Sequence, residues 1–303
     1  MQIEPLKVAI SVISYNQEKF ISECIFSILN QSYHNLIIKV YDDGSTDKTV
    51  TILNKIKDPR LEVIGSTKNL GITKNSNRAI SNIESDLFIL VGGDDVFYKD
   101  KVKLQVEYFQ SYPDHILCGH KLVYIDKFSK ITGKMKIPLF NNIGYKSWIN
   151  KGMLFGAFSI MYNLKNIDRL KFKYDSRVKF ASDWKLIIDI LENNSQFGAI
   201  NEVLGGYRKH DNNITTLKHS ECLSDWLRTI NILEKDNKIS ELDSRKAQAL
   251  FYTYELFKIN LKDNNLKRAL FLYMSFAKVF PFSLRTCYGL FQLVKFYFLN
   301  KRR

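Results

Sequence analysis

The chain has 303 residues, 45% of them hydrophobic and 25% charged, with a formal net charge of +14. That is enough for one large or two ordinary domains, and the composition is that of a globular protein rather than a disordered or fibrous one. A pI of about 9.4 favours an anionic partner, whether a nucleotide, a phospholipid surface or a nucleic acid, without choosing among them.

The four cysteines, Cys24, Cys118, Cys222 and Cys287, are far apart and form no CxxC pair. This argues against a zinc site and a disulfide framework, so a reducing cytosol is the expected setting. Glu4 and the polar run Tyr15–Glu18 flank the first apolar stretch, which is therefore not expected to be a signal peptide. No stretch approaches the roughly 18 uninterrupted apolar residues of a membrane span.

Val8–Ile13 is short, apolar and β-branched and reads as a first strand, ending at Ser14-Tyr15-Asn16. Phe20, Ile21, Cys24, Ile25, Ile28 and Leu29 then mark one face of a helix. A second strand, Leu36–Tyr41, runs into Asp42-Asp43-Gly44-Ser45-Thr46-Asp47 and a helix to Lys57, closed by Pro59. Leu61–Ile64 and Leu87–Val91 are the third and fourth strands; Thr73–Ile83 and Lys101–Tyr112 are the helices after them. Four strand–helix alternations predict βαβ units on a mostly parallel, twisted sheet. Lys127–Gly144 loses periodicity and reads as a long loop, a candidate lid or acceptor loop. Phe158–Tyr162 and Val203–Arg208 are further strands, and Trp184–Leu191 is a helix led by Ser182-Asp183. From Leu217 the chain reads as helical, basic and aromatic. The expected division is an α/β domain over residues 1–216, with halves 1–112 and 113–216, and a helical C-terminal region over 217–303. Phe276–Arg303 interleaves aromatics with Lys and Arg, a pattern that suits peripheral membrane contact as well as ordinary packing on its own domain.

Three strand ends carry polar clusters: Ser14–Asn16, Asp42–Asp47 and Gly92–Asp95. In open α/β sheets ligands bind outside the carboxyl ends of the strands. Asp94 and Asp95 side by side repel unless a cation or donor cluster lies between them, so one reading is a metal–diphosphate site. The other is a Gly-Gly turn followed by an aspartate helix cap. Asp42–Asp47 equally reads as a tight turn with Ser45 or Thr46 capping the next helix, and Asp183 as an N-cap. Neither G-x-x-x-x-G-K-[ST] nor G-x-G-x-x-G is present, which disfavours ATPase and dehydrogenase chemistry.

Taken in order, Ser14-Tyr15-Asn16, Ser27–Tyr33, Asp42–Asp47, Asn69-Leu70-Gly71, Asn77, Gly92–Asp95, Ser182-Asp183-Trp184 and Tyr207-Arg208-Lys209-His210 resemble the family 2 glycosyltransferases. The resemblance covers residues 7–216. It implies a GT-A fold that binds a nucleotide-sugar with Mn²⁺ or Mg²⁺ and transfers the sugar with inversion. It gives Asp43 to the uracil N3–H and Tyr15 to stacking on the base, with Ser14, Asn16 and Asn77 on the donor side. Asp94 and Asp95 would serve the ribose and the metal, Asp95 being favoured for the metal and Asp94 for the ribose. Arg208 and His210 would face the diphosphate or metal, and Asp183 would be the catalytic base. Many members carry an Asp two positions before Asp94, where this chain has Gly92. Lys74 and Arg78 are expected on a solvated helix face. The donor is expected to be a UDP-sugar and the acceptor a sugar or lipid-linked sugar in surface polysaccharide assembly. The rival readings are a non-catalytic relative and a nucleic-acid-binding protein; apolar strands with acidic ends count against nucleic acid.

Overall fold

The computed structural model describes residues 5–81, 83–135, 145–191, 195–211, 213, 219–258, 266–281 and 284–300. It divides into two compact units, residues 1–145 with 153–219, and residues 146–152 with 220–303.

The first unit is built on a nine-stranded mixed sheet. Strands β1 (Val8–Ser14), β2 (Leu36–Asp42), β3 (Leu61–Ile64) and β4 (Leu87–Gly92) pair in parallel, in the order β3-β2-β1-β4. Beyond β4 come β8 (Met161–Asn163), β6 (Leu117–Ile125), β9 (Phe197–Arg208) and the two-residue β5 (Val96–Phe97). β8 is antiparallel to β4 and β6, β9 is parallel to β6, and β5 is antiparallel to β9. Helices α1 (Ile21–Leu29), α2 (Thr49–Lys55), α3 (Ile72–Ser81) and α4 (Lys101–Ser111) connect the early strands. The near-continuous apolar runs of β1 and β4 are buried on both faces, as a parallel sheet between helices requires. α1 buries Ile21, Cys24, Ile25 and Ile28, one 3.6-residue stripe.

Three strands, β5, β6 and β7 (Ile131–Lys134), were hidden in the sequence, and β9 was visible only in its second half. β6 (LCGHKLVYI) carries His120 and Lys121 at its centre, which interrupts the apolar run, yet His120 is fully buried. Its pairing with β9 slips between His120 and Val123, where Asn201 and Glu202 of β9 have no partner in the register. That bulge exposes two polar residues mid-strand and makes β9 look like a strand starting only at Val203. The expected loop Lys127–Gly144 contains β7 (Ile131–Lys134), a hairpin partner of β6, while residues 136–144 lie outside the described residues. The second unit contains α5 (Lys146–Lys151), α7 (His219–Lys235), α8 (Glu241–Lys258), α9 (Leu266–Val279) and α10 (Leu284–Asn300); α6 (Ser182–Ile190) belongs to the first. The segment Lys146–Gly152 thus groups with the helices after residue 219, across the expected division at 216.

Candidate functional site

Register brings the polar clusters to one level. Ser14 lies opposite Asp42 across β1–β2, and Ile13 opposite Gly92 across β1–β4. The loops after β1, β2 and β4 therefore open on the same edge, outside the carboxyl ends of the strands.

The first two loops are tied together through side chains. Asp42 is buried and accepts from Ser14 Oγ (2.8 Å), Ser45 N (2.8 Å) and Ser45 Oγ (2.6 Å). Asn16, at φ 53°, accepts from Thr46 N at 2.8 Å, and its own N–H donates to Ser45 Oγ. Neither Ser45 nor Thr46 caps α2, whose N-cap position is Lys48; Asp47, just before it, accepts from Thr49 N at 2.9 Å and from Glu18 N. Gly44 turns the loop at φ +75°, where a Cβ would stand 2.9 Å from the carbonyl carbon of Lys68. Asp43 is 4% exposed; its two oxygens accept from Leu70 N (2.8 Å) and Gly71 N (2.9 Å). Each carboxylate oxygen can accept a second bond, so the group is held in place with acceptor capacity remaining. Tyr15, in the loop after β1, is 44% exposed.

The Gly92–Asp95 turn joins β4 to β5, and no helix begins at Asp94 or Asp95. A Cβ on Gly92 would lie 2.7 Å from Asp94 Oδ1, so the missing side chain is what lets that carboxylate fold back over the strand end. Asp94 Oδ2 lies 3.0 Å from His210 Nε2. Asp95 is buried, and its Oδ1 accepts from Arg208 N at 3.0 Å, because the β5–β9 pairing lays Arg208 alongside it. Burial first, and then the charge of Asp94, push the Asp95 carboxyl well above the ordinary carboxylate range, against the pull of the Arg208 N–H. The Arg208 side chain is fully buried and faces the protein: Nε donates to the Asp94 carbonyl (2.8 Å), and its other nitrogens to the Asp126 carbonyl, Ser129 Oγ and Glu23 Oε2 (2.6 Å). Phe20 packs against both this guanidinium and the His210 ring.

Asp183 sits in the first turn of α6; the N-cap position is Ala181, so Asp183 is not the cap. Its Oδ1 accepts from Tyr174 OH at 3.0 Å. Burial raises the affinity of Asp183 for its proton, and the Tyr174 hydrogen bond opposes the rise. Asn77 does not reach this carboxylate itself. Its amide makes a two-way clasp with the Tyr174 backbone, Nδ2 to the carbonyl and N–H to Oδ1, both at 2.8 Å. Arg78 bends back to Asn75 and the Gly65 carbonyl, while Lys74 is exposed as expected. Tyr174, Glu23 and Ser129 carried no motif; the hint for the Asp43 loop was Asn69-Leu70-Gly71, whose backbone, rather than its side chains, makes the contact.

The profile of glycosyl transferase family 2 matches residues 9–170. The chain belongs to that family. The matched span contains Tyr15, Asp43, Asp94 and Asp95 but stops short of Asp183, Arg208 and His210. A curated relative in Escherichia coli, the UDP-Glc:alpha-D-GlcNAc-diphosphoundecaprenol beta-1,3-glucosyltransferase WfaP, is 26% identical over 227 residues, 74% of this chain and 87% of its own. Two solved structures share the architecture. Staphylococcus aureus TarS in complex with UDP-GlcNAc superposes with a TM-score of 0.65 at 17% identity, over 90% of this chain and 81% of its own. The Pyrobaculum calidifontis mannosyltransferase PcManGT, in complex with GDP-Man and Mn²⁺, gives 0.62 at 16% identity, over 97% and 87%. These establish a GT-A glycosyltransferase fold for the chain.

Among the described residues no group of three or more His, Cys, Asp and Glu forms a ready-made metal cage. The donor set nonetheless fits a divalent ion that arrives with a diphosphate. Asp94 and His210 present an oxygen and a nitrogen 3.0 Å apart, next to the buried Asp95, whose carboxyl is pushed upward first by burial and then by the Asp94 charge. Mg²⁺-like ions bind through one or two carboxylates plus phosphate oxygens rather than all-protein cages.

Proposed function

We propose that the chain is an inverting, metal-dependent glycosyltransferase using a UDP-sugar donor, with a lipid-linked sugar as acceptor in surface polysaccharide assembly. One observation carries the reading: an anchored Asp43, an exposed Tyr15 and the Asp94–Asp95–His210 group share one strand-end level, with Asp183 held by Tyr174 in the same unit. Asp43 accepts the uracil N3–H with its remaining lone pairs while Tyr15 stacks on the ring. Asp94, His210 and Asp95 would hold Mn²⁺ or Mg²⁺, which supplies charge neutralisation at the diphosphate. Asp183 takes the proton of the acceptor hydroxyl as its oxygen attacks the anomeric carbon. The bond from that carbon to the diphosphate oxygen breaks, and the nucleoside diphosphate leaves. A single displacement needs one base and no second carboxylate nucleophile. Ser14 and Asn16 shape the donor loops, Arg208 fixes the Asp94–Asp95 turn, and Asn77 positions Tyr174 beside Asp183. The lipid-linked acceptor follows the name of the WfaP relative.

Thermal unfolding with UDP, GDP, ADP and CMP, each with and without Mn²⁺, tests the donor assignment. Saturating ligand at about 100 times its Kd stabilises the folded state by about 2.7 kcal/mol. A rise in Tm with UDP that requires Mn²⁺ and disappears in Asp94→Ala is the expected result. A metal-dependent rise with GDP instead would replace the donor, and no rise with any nucleotide would overturn the reading in favour of a non-catalytic family member.

A further inference from the structure

The two last helices of the second unit each turn an apolar face outward. In α9, Leu272 and Phe276 are buried, whereas Leu270 and Met274 are 50% and 53% exposed. Lys267 and Lys278 are exposed one turn before and one turn after this pair, on the same side of the helix. In α10, Thr286 and Leu293 are buried, while Leu290, Phe291 and Val294 are exposed. Where the helices meet, a Cβ on Gly289 would lie 3.3 Å from the Tyr273 ring, so the pair is closely apposed along its inner side. The outward faces are therefore not residues awaiting each other. Residues 266–303 carry eight Lys and Arg and no Asp or Glu. No described helix is long and apolar enough to cross a membrane.

We propose that α9 and α10 form a docking face for the anionic phospholipid surface of a bilayer, on which the helices lie without crossing it. Apolar side chains flanked by lysines are suited to the headgroup–acyl boundary: the apolar part enters, and the long basic side chains reach back to the phosphates. Charge selects this occupant over a second copy of the chain. A self-association through these faces would oppose two surfaces of the same positive sign, whereas an anionic leaflet attracts each basic residue within about a Debye length. The face goes beyond the glycosyl-transfer reading and stands independently of which nucleotide the first unit binds. For a lipid-linked acceptor it would confine the enzyme to the plane in which its acceptor diffuses.

The test is sedimentation of the full chain with vesicles of phosphatidylcholine alone and of phosphatidylcholine mixed with phosphatidylglycerol, with no nucleotide present. Binding is expected only with phosphatidylglycerol, and to weaken as salt rises. Met274→Asp with Phe291→Asp is expected to lower the apparent affinity roughly tenfold or more, and Lys267→Glu with Lys278→Glu to lower both affinity and salt dependence. All four positions are exposed, so an unchanged Tm confirms that each variant folds. The idea is overturned if the wild type fails to sediment with phosphatidylglycerol vesicles at low salt, or if the variants bind like the wild type. A concentration-dependent dimer in light scattering, dissolved by Met274→Asp with Phe291→Asp, would equally overturn it in favour of a second copy.

Discussion

Removing one hydroxyl, Tyr174→Phe, separates a positioned base from a structural carboxylate. Tyr174 is 4% exposed and its OH donates to Asp183 Oδ1 at 3.0 Å, while Asn77 clasps its backbone independently. Phenylalanine keeps the ring and the clasp and loses only the donor. A hydrogen bond to a charged acceptor contributes about 1.5–3 kcal/mol, and about 1.4 kcal/mol is a tenfold change in proton affinity. The hydrogen bond opposes the rise that burial causes at Asp183, so its loss makes the carboxyl harder to ionise. The acidic limb of the kcat/KM profile should therefore move upward by roughly one to two pH units, with the plateau above it close to wild type. Stability follows the same sign. A carboxyl raised in the folded state contributes stability below the unfolded-state pKa, and that contribution disappears as pH rises through the folded value. Tyr174→Phe should thus be more destabilised at neutral pH than in acid. The assay is initial-rate transfer across pH, with Asp183→Asn inactive at every pH as the reference. A uniform fall in rate with an unmoved acidic limb would refute the role assigned to Asp183.

Glu23→Gln leaves the buried Arg208 guanidinium without its ionic partner. A fully buried pair loses about 3–5 kcal/mol when broken, and with Glu23 half in water about 1–2 kcal/mol is expected in urea unfolding. A change under about 0.5 kcal/mol, the scale of ordinary surface substitutions, would show that water already carries that charge. Gly92→Ala places a methyl 2.7 Å from Asp94 Oδ1 and should displace the carboxylate, shrinking the Mn²⁺-dependent nucleotide shift while the ligand-free Tm moves little. An unchanged shift would remove Asp94 from the metal assignment. Asp43→Asn turns one of the two acceptors facing Leu70 N and Gly71 N into a donor. It should cost about 1–3 kcal/mol of stability and abolish the preference for UDP over CMP; retained preference would move base recognition elsewhere.

The parallel half of the sheet was legible because its physics is local. Uniform apolar runs ended in polar clusters, and 3.6-residue stripes followed each. The second half was legible only in part: the helix at Trp184 and the end of β9 were read, but not β6 or the start of β9, long-range partners whose bulge puts Asn201 and Glu202 where alternation demands apolar residues. A buried His120 reads as a break until the strand that covers it is known. The same limit applies to the site. Side chains singled out by motif do two jobs that a sequence cannot distinguish, and Asn16, Asn77 and Arg208 make their visible contacts to protein. Asn77 and Tyr174 are nearly a hundred residues apart, so nothing short of the fold could join them to Asp183.

On the proposed reading, the way the acidic groups are satisfied gives a strongly basic chain a use for a cation at its donor edge. Asp42 is held by serine donors, Asp43 by the Leu70 and Gly71 N–H groups, Asp47 by Thr49 and Glu18 N–H groups, and Asp95 by the Arg208 N–H. These donors are neutral: they orient each carboxylate without cancelling its charge. The Arg208 guanidinium is turned inward to Glu23 and to main-chain carbonyls, so its charge is matched before any ligand arrives. A diphosphate approaching this edge would meet uncompensated negative charge, and Asp94 stands beside the His210 imidazole, a nitrogen that could ligate a metal. Gly92 completes the arrangement. An aspartate there would add a third negative charge and a Cβ in the space the Asp94 carboxylate occupies, so the proposed site is one of two carboxylates and a histidine.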